Sequence, residues 1–389
     1  MRAAHILGLV ALGSGVVGSN AAAQERGSYV ARIGTDTVAV DRFVRSRDRL
    51  DGQLILRPPR TTIIDYHLAL SADGAPAKLE YTVLNADGTP ASPARKGVVT
   101  FGADSVTMVA TRGDSTRTSV AAVRRGAMPI LSAFFSYALL AEEIHSALRS
   151  RGDSLPFHVY LPGSKSSFDT WLHREGADTV RVPYLFDAVL RARIASDGTI
   201  RELNTLESTV RAEAMLAPYE ATDRLAAAWG AADRAGKGLG PLSPRDTARG
   251  TVGASTILVD YSRPHTRGRL IVGGLVPFGE VWRAGADAAT QFESSTDLTL
   301  GGQRLTAGKY TLWILPTDST RAELLVNSQT GQWGTDHDPA RDILHLPLTV
   351  ETLPAQVEEF TIAVGAGSEP RLSFTWDRTR WSLPVKAAP

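Results

Sequence analysis

From residue 28 onward, apolar and polar positions alternate with a period of two, the spacing of half-buried strands. Asp-Gly and Gly-Asp pairs break the alternation into short runs. "KLEYTVLN" (78–85) stands between "ADGAP" (72–76) and "ADGTP" (86–90), two turn sequences that bracket a single run. One strand and one tight turn fill that interval, which is the unit of an antiparallel meander. The same punctuation recurs at "GADS", "RGDS", "EGAD" and "SDGT", with "VVTF", "VTMVAT", "FHVYL", "FDTWLH", "TVRVPY" and "VLRARI" between them. The pattern predicts a mainly β N-terminal region, a meander of roughly eight or more strands; a sheet that wide curls into a barrel or half-barrel.

Two segments break the strand pattern. "PILSAFFSYALLAEEIHSALRSRGD" (129–153) places apolar residues at helical spacing, with Pro129 at a suitable first position and Gly152 past the end. It predicts a helix over about 130–150 that covers one face of the sheet; a movable lid over a cavity is the alternative. A second, Ala-rich helix is expected over 220–236, with Asp223 near its N-terminus as the helix dipole favours. It runs into "KGLGPLSPRDTARG" (237–250), whose Gly and Pro content marks the best domain boundary. Beyond it, "STILVDYS", "QFES", "LTLG", "KYTLWILP", "AELLVN", "ILHLPLTV", "EEFTIAV" and "RLSFTWD" read as short strands of a β-sandwich. In "KYTLWILP", Tyr310, Leu312 and Ile314 are expected to face one way.

The boundaries are therefore a leader at 1–23, a meander domain at 24–236, a linker at 237–250 and a sandwich domain at 251–389. The leader rests on Arg2, the apolar run "ILGLVALGSGVVG" and the small residues "AAA" before Gln24, the three parts of a secretory signal cleaved near Ala23–Gln24. Its apolar core is shorter than a membrane span needs and is diluted by Gly and Ser. The mature chain is thus expected to be exported, periplasmic or extracellular, with no transmembrane segment. Composition, 43% hydrophobic and 21% charged, is that of a folded protein. With 42 basic against 41 acidic residues, charge gives no case for a nucleic-acid partner. The absence of Cys excludes disulfides, thiolate metal sites and a lipid-modified cysteine anchor.

"YSRPHTRGRLIVGGLVPFGEVWRAGADAATQF", "AGKYTLWILP" and "NSQTGQWGTDHDPARD" follow one another in order. On these blocks the region of about 250–364 resembles the uncharacterised domain-of-unknown-function family 2911. The resemblance implies an exported, β-rich bacterial module and brings no catalytic residues with it. Residues 24–236 are similar only in outline to curved-sheet carriers of the bacterial envelope.

The candidate chemistry lies in 261–286. If 261–269 were extended, Arg263, His265, Arg267 and Arg269 would project to one side. Arg263 and Arg269 would then lie about 20 Å apart, too far for one anion, whereas adjacent pairs about 6.6 Å apart would hold one. Pro264 and Gly268 predict a bend instead. Two readings stand side by side. In one, these arginines pair with Glu280, Asp287 and Asp260 in a structural network, Val281 and Trp282 lie in the core, and Arg283 bonds to backbone carbonyls. In the other, Arg263, His265, Arg267, Glu280, Arg283 and Asp287 face a ligand. Glu280 and Asp287 would also suit a carboxylate pair for hydrolysis, though so would many others. "TDHDP", with Asp336, His337 and Asp338 and with His345 nearby, reads as an Asp-rich turn before Pro339, so no metal and no cofactor is expected. No G-x-S-x-G, phosphate-cradling glycine loop or H-E-x-x-H occurs. The expected function is that of a non-catalytic envelope protein that binds a small molecule or acts as a scaffold; the alternative is a hydrolase using the Arg/His/Glu/Asp set of 263–287.

Overall fold

The computed structural model describes residues 24–219, 222–365 and 369–388. The expected leader, residues 1–23, lies outside them, as do residues 220 and 221 of the second expected helix. The chain is mainly β. Its N-terminal part is one 15-stranded sheet in which the strands from Glu25–Ile33 to Ser115–Ala122 follow one another as a meander. The strands from Ser154–Tyr160 to Ala212–Ala217 form a second meander, and Ala212–Ala217 joins Glu25–Ile33 to unite the two. The sheet curls without closing. The chain crosses the gap between its edges through an isolated bridge, Ala122 to Ser166, and a two-residue strand, Met128–Pro129, parallel to Val159–Tyr160.

The first helix, Tyr137–Leu148, fills the hollow of this sheet. Nine of its twelve residues are buried, so it covers the sheet as expected. It starts later than the expected 130. Met128–Pro129 is held as a strand, with Ile130 N–H donating to the Tyr160 carbonyl at 2.9 Å. Ser136 Oγ then accepts from the N–H groups of Leu131 and Ser132, holding a tight turn ahead of the helix. The buried Asp41 of the strand Asp36–Arg45 accepts from Ala138 N–H at 2.8 Å and fixes the helix N-terminus in place. The second helix, Thr222–Arg234, packs Ala226 against Ile55 and Ile63 in a small separate cluster.

The C-terminal part is a separate nine-stranded sheet that folds round its own core. Two long strands, Asp342–Val364 and Arg371–Ala387, shape it. The sequence predicts two strands where Asp342–Val364 is one. Register shifts between Thr352 and Val357, and again between Val357 and Thr361, let it continue through its bends. Tyr310, Leu312 and Ile314 all enter the core, as their alternation predicts, while Trp313 points the other way to Ala289 and Leu325. The stretch read as a linker also carries structure. Arg245–Val252 is the first strand of this sheet, paired along Ser255–Ser262 and locked to it by a bidentate Arg245–Asp260 ion pair at 2.7 Å.

The two sheets meet at two turns. Thr35 N–H donates to the Arg267 carbonyl at 2.9 Å, and the Arg267 guanidinium pairs with Asp36 at 2.5 Å. Positive φ at Gly34 (58°), Arg267 (49°) and Gly268 (69°) lets these turns interlock. Arg211 adds a bond from its guanidinium to the Gly274 carbonyl at 3.0 Å.

Candidate functional site

The strand Ser255–Ser262 ends just before the basic run, and the chain turns there as Pro264 and Gly268 predict. The run therefore divides. Arg263 and His265 go one way, Arg267 and Arg269 the other. Arg263 pairs with Glu359 at 2.6 Å and Asp246 at 3.3 Å, and His265 Nε2 meets the same Glu359 at 3.1 Å. Glu358 accepts from Thr266 Oγ1 and from Arg267 N–H, clamping the turn from beneath. This is a structural network, but its acids are Glu359, Asp246 and Asp36 rather than the expected Glu280, Asp287 and Asp260. Asp260 is taken by Arg245, and Glu280 is exposed.

The other branch faces a cavity of about 120 Å³ between the two sheets. Arg267, Arg269, Arg283 and Asp287 line it, with Ile33 and Val210 from the N-terminal part of the chain and Leu275, Trp282 and Trp376 from the C-terminal part. Of the expected ligand set, the structure brings Arg267, Arg283 and Asp287 together. Arg263, His265 and Glu280 do not line the cavity, so the carboxylate pair of the hydrolytic reading is not assembled in it.

Arg283 differs from its neighbours. It is only 8% exposed, and its guanidinium has no hydrogen-bond partner among the described residues; its Nε is fully withdrawn from solvent. The backbone carbonyls expected to receive it do not. Burial lowers its pKa, and Asp287 alone opposes that shift. Burial likewise raises the pKa of Asp287 against the pull of Arg283 and Arg245. Arg269 donates to the carbonyls of Thr266 and His265 at 3.0 and 2.7 Å but has no ion pair among the described residues. Burial and the nearby Arg267 and Arg211 push its pKa down to about 10. The cavity wall thus holds two cations that lack a direct anionic partner.

Local backbone geometry sets this arrangement. Ala284 and Asp287 both have positive φ, 48° and 59°, which reverses the chain on either side of Gly285. Gly334 packs against the Arg283 stem so closely that a Cβ there would fall 1.9 Å from Arg283 Cδ. The Q-W-G block is thereby tied to the arginine of V-W-R-A-G-A, a pairing that the sequence could not show. Trp282, expected in the core, is half-buried; it stacks on Trp376 at 5.7 Å and joins the cavity wall. Val281 is exposed. Reading the sequence also missed Trp376, and Ile33 and Val210, which lie in ordinary strand and loop patterns that carry no signal of their own.

Elsewhere, Asp338 caps the short 3₁₀ turn Pro339–Arg341, and His337 pairs with the buried Asp342 at 3.0 Å. Among the described residues, no group of three or more His, Asp or Glu side chains is placed to hold a metal ion. No helix among them is long and apolar enough to cross a membrane.

No curated protein and no solved structure matches the chain. No family model matches the N-terminal region. Residues 243–385, which hold the strand Arg245–Val252, the basic wall of the cavity and the C-terminal sheet up to the last two residues of the strand Arg371–Ala387, match the family described as "Protein of unknown function (DUF2911)".

Proposed function

We propose that the protein is a non-catalytic binding protein of the bacterial envelope, and that it holds a small anion in the cavity between its two sheets. In this reading residues 24–236 and 251–389 are two domains, and the ligand sits where they meet. The supporting observation is Arg283. A buried cation without a hydrogen-bonded partner carries a desolvation cost, which in the free protein is offset only by the attraction of Asp287. An anion in the cavity supplies the missing acceptor.

The test is thermal melting of the mature chain with sodium acetate, phosphate or sulfate against sodium chloride at equal ionic strength. A bound anion stabilises by about 2.7 kcal/mol at a hundredfold excess over its Kd, so the melting temperature is expected to rise by a few degrees. Arg283→Met should lose that response. Its own melting temperature should stay near the parent's, because relief of the buried, unbonded cation is set against the loss of its attraction to Asp287. If no anion shifts the parent, or the variant responds as the parent does, the reading fails. Export is proposed on the leader alone. Sequencing the protein from the envelope fraction is expected to begin near Gln24, and an intact Met1 there would reject cleavage.

A further inference from the structure

We infer that the ligand of this cavity is a monocarboxylate with a short apolar tail, an inference that rests on the anion-binding reading above. Three features of the wall select that class. The first is charge. Around Arg269, the cations Arg267 and Arg211 are matched in number by Glu358 and Asp36, and Arg283 is opposed by Asp287. One positive charge is left over, that of Arg269 itself. A monoanion neutralises it, whereas a dianion would bring a surplus negative charge into a poorly solvated space.

The second feature is geometry. The Arg283 guanidinium is a planar fork with no hydrogen bond among the described residues. Its parallel donors match the two oxygens of a carboxylate. The third is the rest of the wall. Thr209 and Ser243 are polar, but Ile33, Val210, Leu275, Trp282 and Trp376 are apolar and stand around the arginines, so the ligand presents hydrocarbon as well as charge. Size limits how much. A cavity of roughly 150 Å³ accommodates benzene, so the 120 Å³ here takes a ligand of about that size or slightly smaller. Butyrate fits within that limit, whereas benzoate, a benzene ring with a carboxylate added, and a long fatty acid exceed it.

Isothermal titration of the full mature chain with acetate, propionate, butyrate, benzoate, octanoate, inorganic phosphate and butylamine tests this directly. Each methylene buried between acetate and butyrate is expected to tighten binding about fourfold, so butyrate should bind about fifteenfold tighter than acetate. Octanoate and benzoate should gain nothing beyond butyrate, and butylamine should not bind. Leu275→Ala should shrink the acetate-to-butyrate increment. Phosphate binding as tightly as butyrate would overturn the inference, and so would equal affinity along the carboxylate series. Either result would leave anion binding itself intact. If neither phosphate nor any carboxylate binds, the underlying reading fails with it.

Discussion

Gly34→Ala is expected to uncouple the two sheets. A Cβ at Gly34 would stand 2.0 Å from the Arg267 carbonyl oxygen, far inside contact distance, and that same oxygen accepts the Thr35 N–H at 2.9 Å. The residue has φ of 58°, a left-handed conformation that costs an L side chain about 1–2 kcal/mol before any clash. Relief requires the turns to move apart. Separation withdraws Asp36 from Arg267, which is only 5% exposed and would be left as a buried, unpaired cation. Breaking a buried pair from one side costs about 3–5 kcal/mol. Asp36 is about a third exposed, so the lower end applies. Because each sheet encloses its own core, neither should unfold when the contact fails. Calorimetry is therefore expected to show one transition in the parent and two in the variant, with butyrate binding lost because Ile33 leaves the cavity wall. Gly88→Ala is the control. Gly88 also has positive φ, but nothing lies within 4 Å of the added carbon, so it isolates the conformational cost. A single, unshifted transition in Gly34→Ala would show that the turn contact does not couple the sheets.

That contact shows what the sequence could and could not convey. Strands flanked by turn residues were legible: Pro76–Asn85 contains the predicted 78–85, and Ser255–Ser262 and Ala322–Asn327 fall where their alternation places them. The strand Arg245–Val252 was not legible, because it lies at the end of the sheet and alternates exposed with half-buried residues, leaving no apolar face to read. The start of the first helix depends on Asp41, 97 residues away, and no local signal at 129–136 reports that bond. The basic run was recognisable as chemistry, but its division was not. Arg263 and Arg267 are four residues apart and serve different surroundings, because the turn between them faces a strand edge on one side and the other sheet on the other. Arg283 was visible as a residue. Its isolation was not, since being unpaired depends on every neighbour in space.

Asp41 should make stability fall as pH rises, the opposite of what surface carboxylates contribute. It is fully buried, with Oδ1 accepting from Tyr66 Oη at 2.9 Å and Oδ2 from Ala138 N–H at 2.8 Å. Both bonds, together with the helix N-terminus, favour the carboxylate. Burial outweighs them and raises its pKa from the ordinary 3.8 to about 7. Glu143, a buried residue of the same helix with one oxygen lacking a partner, is shifted in the same direction by the same cause. A raised acid pKa means that the folded chain keeps a proton which the unfolded chain releases. Between about pH 4 and pH 7 stability then falls as pH rises, by about 1.4 kcal/mol per pH unit for one such group. Over the whole interval Asp41 alone accounts for about 4 kcal/mol. Exposed carboxylates such as Asp73, held at about 2 by Ser71, the Ala75 N–H and Arg125, act in the opposite sense, so the parent curve alone does not isolate Asp41. Comparison with Asp41→Asn does, since the amide keeps a carbonyl acceptor and cannot titrate. In urea unfolding, the variant is expected to be similar to or slightly less stable than the parent at pH 5, and more stable at pH 8. Parallel curves for the two proteins from pH 5 to pH 8 would mean that Asp41 is ionised throughout, and that its two hydrogen bonds outweigh burial after all.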